Sequence, residues 1–365
     1  MTCDLFSLAT PGIARLHPYQ PGKPVEELER ELGITDIIKL ASNENALGPS
    51  PRVLEALSSL PELCRYPDGN GFVLRQSLSR MHQVKPEQIT LGNGSNDILD
   101  LVARVFVTDR DQVIFSQHAF AIYKLVTLSL GAEGIETPAR AYGHDLTAIL
   151  DAVTEKTRLI YIANPNNPTG TWLNAAELKL FMDELPDHII VLMDQAYYEY
   201  AVGPGYANCI EWLDDYPNLV VARTFSKAYG LAGLRVGFSV SHADVADLMN
   251  RVRQPFNVNS IALHAARAAL EEQQHIADSV AFNQRGMNQL LEGFVEMGIE
   301  SIPSRANFIC FDLGRPAGPI YERLLRSGVI VRPIESYGLP NHLRVSVGRQ
   351  EENEKFLDAL KLALA

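Results

Sequence analysis

The chain has 365 residues, of which 46% are hydrophobic and 21% charged, and its formal net charge is −12 with a pI near 5.3. This acidic balance argues against nucleic acid and anionic membrane surfaces as partners, although it leaves room for a locally basic pocket. No apolar run approaches the roughly 18 residues of a membrane span, and at this length one large and one smaller domain are expected.

Cys3, Cys64, Cys209 and Cys310 are scattered, with no CxxC pair and no histidine at ligand spacing. That pattern speaks against a metal site or a disulfide framework and for reduced thiols in a cytoplasmic protein. The opening MTCDLFSLATPG has an early acidic residue and no basic segment, unlike a secretory leader.

Residues 1–40 read as an amino-terminal arm: HPYQPGKP is extended, and a helix over Val25–Leu32 stops at Gly33. Tyr19 in this arm reads as a packing or surface aromatic. IIKLASNENALGPSP, residues 37–51, is a strand passing into turns, with Asn43, Glu44 and Asn45 as loop polars. A helix near Arg52–Leu60 leads to CRYPDGNG, a strong turn signal that exposes Tyr66 as either a surface ring or a contact to a second subunit.

QITLGNGSNDILDLVARVF, residues 88–106, is strand, glycine turn and amphipathic helix, with Ser95 as the N-cap candidate. The free amides at Gly94, Ser95 and Asn96 make either an anion site or a plain tight turn. The stretch lacks the third glycine of a dinucleotide fingerprint and the GK[ST] of a nucleotide triphosphate loop. Phe120, just past the next strand, either stacks on a planar ligand or packs in the core, and His118 either caps the loop or takes part in chemistry.

Three further apolar strands end in polar residues: LIYIA runs into NPNNPTG with Asn167, HIIVLMD ends at Asp194 with Tyr197 three residues on, and Val220–Phe225 stops at Ser226-Lys227. In an open parallel sheet, ligands bind beyond the carboxyl ends of the strands, so Asn167, Asp194 and Lys227 can converge on one ligand. A lysine desolvated there has a lowered pKa and becomes a nucleophile toward carbonyls.

Beyond Pro255 the pattern changes to one long helical stretch, Ser260–Met297, followed by the strands NFICFDL, GVIVRPI and HLRVSVG, with a helix between the first two. A compact α+β domain is expected, in which Arg332 and Arg344 need either an internal carboxylate or an anionic substrate. The expected division is an arm at 1–40, a large ligand-binding domain at 41–255 and a small domain at 256–365.

HPYQPGKP, LASNENALGPSP, RYPDGNG, GNGSND, NPNNPTG, MDQAYYEY, SKAYGLAGLRVG and HLRVSVG follow one another over nearly the whole chain. Together they resemble the fold-type I pyridoxal-phosphate enzymes, specifically the class I/II aminotransferases, and most closely the histidinol-phosphate aminotransferases. The resemblance implies an aspartate aminotransferase-like α/β fold: a mostly parallel, seven-stranded-type sheet flanked by helices, with a smaller α+β domain built from the arm and the carboxyl-terminal segment. It implies pyridoxal 5′-phosphate as cofactor, bonded by Lys227, with Asp194 on the pyridine nitrogen, Asn167 and Tyr197 on the ring's 3-oxygen and Phe120 stacked on the ring.

Ser95, Asn96, Ser226 and Arg235 are implied as phosphate ligands, joined by Tyr66 from the other subunit of a homodimer. Tyr19, Asn45, Arg332 and Arg344 are implied as substrate-binding residues. The implied reaction is transamination of L-histidinol phosphate with 2-oxoglutarate, giving imidazole acetol phosphate and glutamate in histidine biosynthesis. The alternatives on the same pattern are an aromatic amino acid aminotransferase and a threonine-phosphate decarboxylase-like lyase.

Overall fold

The computed structural model describes residues 3–14, 16, 18, 22–59 and 62–365. Its centre is a seven-stranded sheet of β1 (Ile89–Gly92), β2 (Gln112–Ser116), β3 (Glu133–Thr137), β4 (Thr157–Ala163), β5 (Ile190–Asp194), β6 (Leu219–Thr224) and β7 (Gly237–Ser241). The strand order is β1-β7-β6-β5-β4-β2-β3, and only β7 runs antiparallel to its neighbours. The inner strands read as continuous apolar runs because both faces are covered: every residue of β5 and β6 is buried.

Helices cover the two faces and make two apolar clusters, one around Ile162, Val191 and Val221, the other around Leu159, Leu192 and Val220. A third cluster, around Phe311, Leu343 and Phe356, lies beneath a four-stranded antiparallel sheet of Glu300–Ile302, Phe308–Asp312, His342–Ser346 and Arg332–Pro333. The segment before the turn at 42–50 joins this smaller layer, since Ile38 and Lys39 pair in parallel with Val329 and Ile330.

The structure differs from the sequence reading in four places. The expected helix over Ser260–Met297 is two helices, Ser260–Leu270 and Gln273–Glu296, broken at Glu271-Glu272. The first packs its alanines, Ala262, Ala265 and Ala266, against the large apolar cluster, while Leu290 and Phe294 of the second belong to the small one. GVIVRPI is two short strands, because Val329–Ile330 pairs with Ile38–Lys39 whereas Arg332–Pro333 joins the small sheet. A strand at Glu300–Ile302 also enters that sheet. Ser95 is the first helical residue rather than the cap; Gly94 occupies the cap position at φ +81, ψ 167 and provides no side chain. Among the described residues, no helix is long and apolar enough to cross a membrane.

Candidate active site

The carboxyl ends of β4, β5 and β6 open on a cavity of about 280 Å³. It brings together Ser95, Asn96, Phe120, Asn167, Asp194, Tyr197, Ser226, Lys227, Arg235, Arg332 and Arg344. Most of these stand on the loops and helix starts around the strands of the large sheet, Asp194 in a strand itself, and the small sheet supplies both Arg332 and Arg344.

Lys227 follows β6 and extends its amine to the carbonyls of Ser42 and Asn43, at 3.2 and 3.1 Å. Burial, helped by Arg344 and Arg235, pushes this amine down to about 7, against the opposing pull of Glu44 and Asp194. Asp194 ends β5; its Oδ2 accepts from the Tyr123 hydroxyl at 2.9 Å and its Oδ1 from the Ala196 amide at 3.1 Å. Burial pushes this carboxyl up to about 6, and the hydrogen bonds from Tyr123 and Ala196 and the charge of Lys227 pull the other way.

Two hydrogen-bond donors face the same space. Asn167 accepts from Arg344 through Oδ1, which leaves its Nδ2 as the donor. Tyr197 accepts from Asn43 Nδ2 at 2.9 Å, and among the described residues its own proton is taken by no side chain. Burial holds the Tyr197 phenol above its ordinary pKa, so it keeps that proton at neutral pH.

At another part of the cavity the helix Ser95–Phe106 begins beside Arg235, whose guanidinium donates to Ser226 Oγ at 3.2 Å. Glycines make this approach possible: a Cβ on Gly94 would lie 2.3 Å from Arg235 Nη2, and one on Gly237 would lie 2.6 Å from the Ser95 nitrogen. Unpaired amides at a helix start, a hydroxyl and a guanidinium form a cradle for a phosphate-sized anion. Arg344, which is 6% exposed, also donates to the Ala41 carbonyl at 2.8 Å and lies over the Phe308 ring.

Two candidates lie elsewhere, and a third falls outside the described residues. Tyr66 is 82% exposed and stacks on Phe256 with ring centroids 4.6 Å apart, outside the cavity lining. Asn45 does not line the cavity; it bridges the Ala228 carbonyl and Ser279 Oγ, bracing the residue next to Lys227. Tyr19 lies outside the described residues. His118, one of the loop candidates, contacts the Tyr337 carbonyl through Nδ1 and so joins the two layers beside the cavity.

Sequence reading missed Tyr123 as a partner of Asp194 and left Asn43 as a loop polar. Tyr123 had a signal, since it stands three residues after Phe120, in the first turn of the helix Ala121–Ser129 that Phe120 precedes; Asn43 had none. No group of three or more His, Cys, Asp or Glu among the described residues is placed to hold a metal.

These groups fit the cofactor the sequence resemblance implies. A buried carboxylate, two oriented donors, an amine near neutrality and an anion cradle border one cavity, beside the Phe120 ring.

The description "Aminotransferase class I and II" matches residues 35–360. Histidinol-phosphate aminotransferase 2 of Pseudomonas fluorescens Pf-5 is 55% identical over 368 residues, covering 100% of each chain. Histidinol-phosphate aminotransferase 1 of Nitrosococcus oceani is 54% identical, covering 98% of this chain and 97% of its own. Among solved structures, histidinol-phosphate aminotransferase from Sinorhizobium meliloti, in complex with pyridoxal-5′-phosphate, has a TM-score of 0.90 at 29% identity over 97% of both chains. With this match running from end to end, the chain belongs to the class I and II aminotransferases and, within them, to the histidinol-phosphate aminotransferase family.

Proposed function

We propose that this protein is a pyridoxal 5′-phosphate-dependent transaminase that moves the amino group of L-histidinol phosphate to 2-oxoglutarate. The observation that carries the reading is a single cavity with cationic groups on two sides, Arg235 from the large layer and Arg332 and Arg344 from the small one, with Lys227 and Asp194 also lining it. One cationic set suits the cofactor's phosphate and the other suits an anionic substrate, whether phosphate or dicarboxylate.

When bound, pyridoxal 5′-phosphate supplies a carbonyl that condenses with amines and a ring that withdraws electrons from the carbon beside the nitrogen. Ser95, Asn96, Ser226 and Arg235 would hold its phosphate, and Phe120 would lie against the ring. Asp194 would keep the ring nitrogen protonated, and Asn167 and Tyr197 would donate to the ring oxygen. The Lys227 amine, lowered to about 7, would be the group that condenses with that carbonyl. Lys227 Nζ, placed in the same cavity, would also be the group that holds and moves the proton during transamination. Arg332 and Arg344, with Tyr19, would bind and orient the substrates, while Asn45, outside the lining, braces the residue next to Lys227. Alternating release of a keto product and uptake of a keto acid gives ping-pong kinetics.

The same reading makes the enzyme a cytoplasmic homodimer. Tyr66, 82% exposed and stacked on Phe256, is the residue this reading assigns to the partner's phosphate site.

The test is to mix pyridoxal-loaded protein with L-histidinol phosphate alone and follow the cofactor's absorbance. Conversion to the pyridoxamine form, reversed by 2-oxoglutarate, is the expected result. A spectrum that stays put with this amine but changes with an aromatic amino acid would reassign the substrate.

A further inference from the structure

Asn43 is 1% exposed and has φ +54, a left-handed conformation that few residues other than glycine adopt. Every polar group it owns is engaged. Its backbone amide donates to Ser346 Oγ at 2.8 Å, and that hydroxyl, its own proton thereby directed elsewhere, donates to Asn43 Oδ1 at 3.2 Å. Ser346 thus fixes which way the amide faces and leaves Nδ2 to donate to Tyr197 Oη at 2.9 Å. The Asn43 carbonyl accepts from Lys227 Nζ at 3.1 Å and from Asn307 Nδ2 at 3.1 Å.

The left-handed turn has its own consequence. In extended chain, consecutive carbonyls point to opposite sides; here those of Ser42 and Asn43 both reach the Lys227 amine. A phenol has one proton to donate, and an amide donor seated on its oxygen turns that proton away. For Tyr197 the open direction is the cavity that it lines with Asn167.

We propose that Asn43 is a positioning residue for the reaction: its side chain holds Tyr197 as a donor into the cavity, and its strained backbone aims two carbonyls at the Lys227 amine. The inference rests on the pyridoxal-phosphate reading above. It assigns the polarity of the Tyr197 hydroxyl to a residue whose side chain makes no contact with the Lys227 amine, only its carbonyl doing so.

The experiment compares Asn43→Gly with the unaltered protein in equilibrium binding of two probes to the cofactor-free dimer. Glycine accepts the left-handed backbone, so this variant keeps the turn and deletes only the side chain. The probes are pyridoxal 5′-phosphate and its 3-deoxy analogue, which lacks the oxygen that Tyr197 faces. Asn43→Gly is expected to weaken pyridoxal phosphate about fivefold, the equivalent of one net hydrogen bond, and to leave the 3-deoxy analogue unchanged.

Equal weakening of both probes would reduce Asn43 to a structural role, and no weakening of either would remove it from the site; both outcomes overturn the proposal. Failure of the unaltered protein to bind pyridoxal phosphate would instead overturn the cofactor reading. Should Asn43→Gly not fold, Tyr197→Phe in the same pair of titrations must show the same selectivity between probes. Where both single variants fold, the double variant must add nothing to Tyr197→Phe, and an additive effect would count against the coupling.

Discussion

Tyr123 donates its phenolic proton to Asp194 Oδ2 across 2.9 Å, while its ring lies flat against Tyr161 with centroids 4.5 Å apart. The stack fixes the ring, and the hydrogen bond favours the ionised carboxylate against the burial that raises its pKa to about 6. Tyr123→Phe keeps the stack and removes the bond. The expected outcome is a kcat/KM about tenfold lower at pH 7 and an acid limb displaced to higher pH. A pH profile identical in shape to that of the unaltered enzyme would separate Tyr123 from Asp194.

On the proposed reading, the Lys227 amine, held down to about 7, is expected to set the pH dependence of cofactor uptake. Its neutral fraction rises from about a tenth at pH 6 to about nine-tenths at pH 8, so covalent capture of pyridoxal phosphate should accelerate about tenfold over that range and then level off. Stopped-flow absorbance measures this, and Lys227→Ala should abolish the covalent phase.

The same group affects stability with a definite sign. Because its folded pKa lies below the unfolded value of 10.5, the unfolded chain binds more protons between about pH 7 and 10.5. This group's contribution to the stability of the cofactor-free protein therefore rises with pH through that window. Urea unfolding of the unaltered protein against Lys227→Met checks it: the variant's advantage should shrink toward high pH.

Gly94 occupies a φ +81, ψ 167 region that is essentially reserved for glycine, and a Cβ there would lie 2.3 Å from Arg235 Nη2. Gly94→Ala should lower affinity for pyridoxal phosphate by about a hundredfold through displacement of that cationic contact. Affinity for pyridoxal, which has no phosphate, should change little. Equilibrium dialysis with both compounds decides the matter.

If Tyr66 completes the partner's site, two inactive variants should rescue one another. Mixed after reversible dissociation, Tyr66→Ala and Lys227→Ala place an intact Tyr66 and an intact Lys227 together in one site of each heterodimer. Random reassortment makes half the dimers mixed with one complete site each, or about a quarter of full activity. Activity that stays at the parental level would place Tyr66 outside the site.

Much of the site was legible because its signals are local. β4, β5 and β6 announce themselves as short apolar runs stopped by polar residues, and a parallel sheet places such strand ends side by side. The helix over Val25–Leu32 and its stop at Gly33, which adopts φ +66, follow from the same local chemistry. The break at Glu271-Glu272 was hidden because neither glycine nor proline marks it. Helical spacing alone does not tell one helix from two that continue in similar register.

The sequence by itself determined the strand-and-helix alternation and which residue types stand at the strand ends, since apolar periodicity and turn chemistry act between near neighbours. Only the tertiary structure decided which polar groups meet. Asn43 touches Tyr197 and Ser346 at separations of 154 and 303 residues, and Tyr123 finds Asp194 across 71. Such pairs depend on strand order and on the docking of the small layer against the large one. No local propensity carries that information, and so a residue that reads as a loop polar and a tyrosine that drew no attention meet Tyr197 and Asp194 at the cavity.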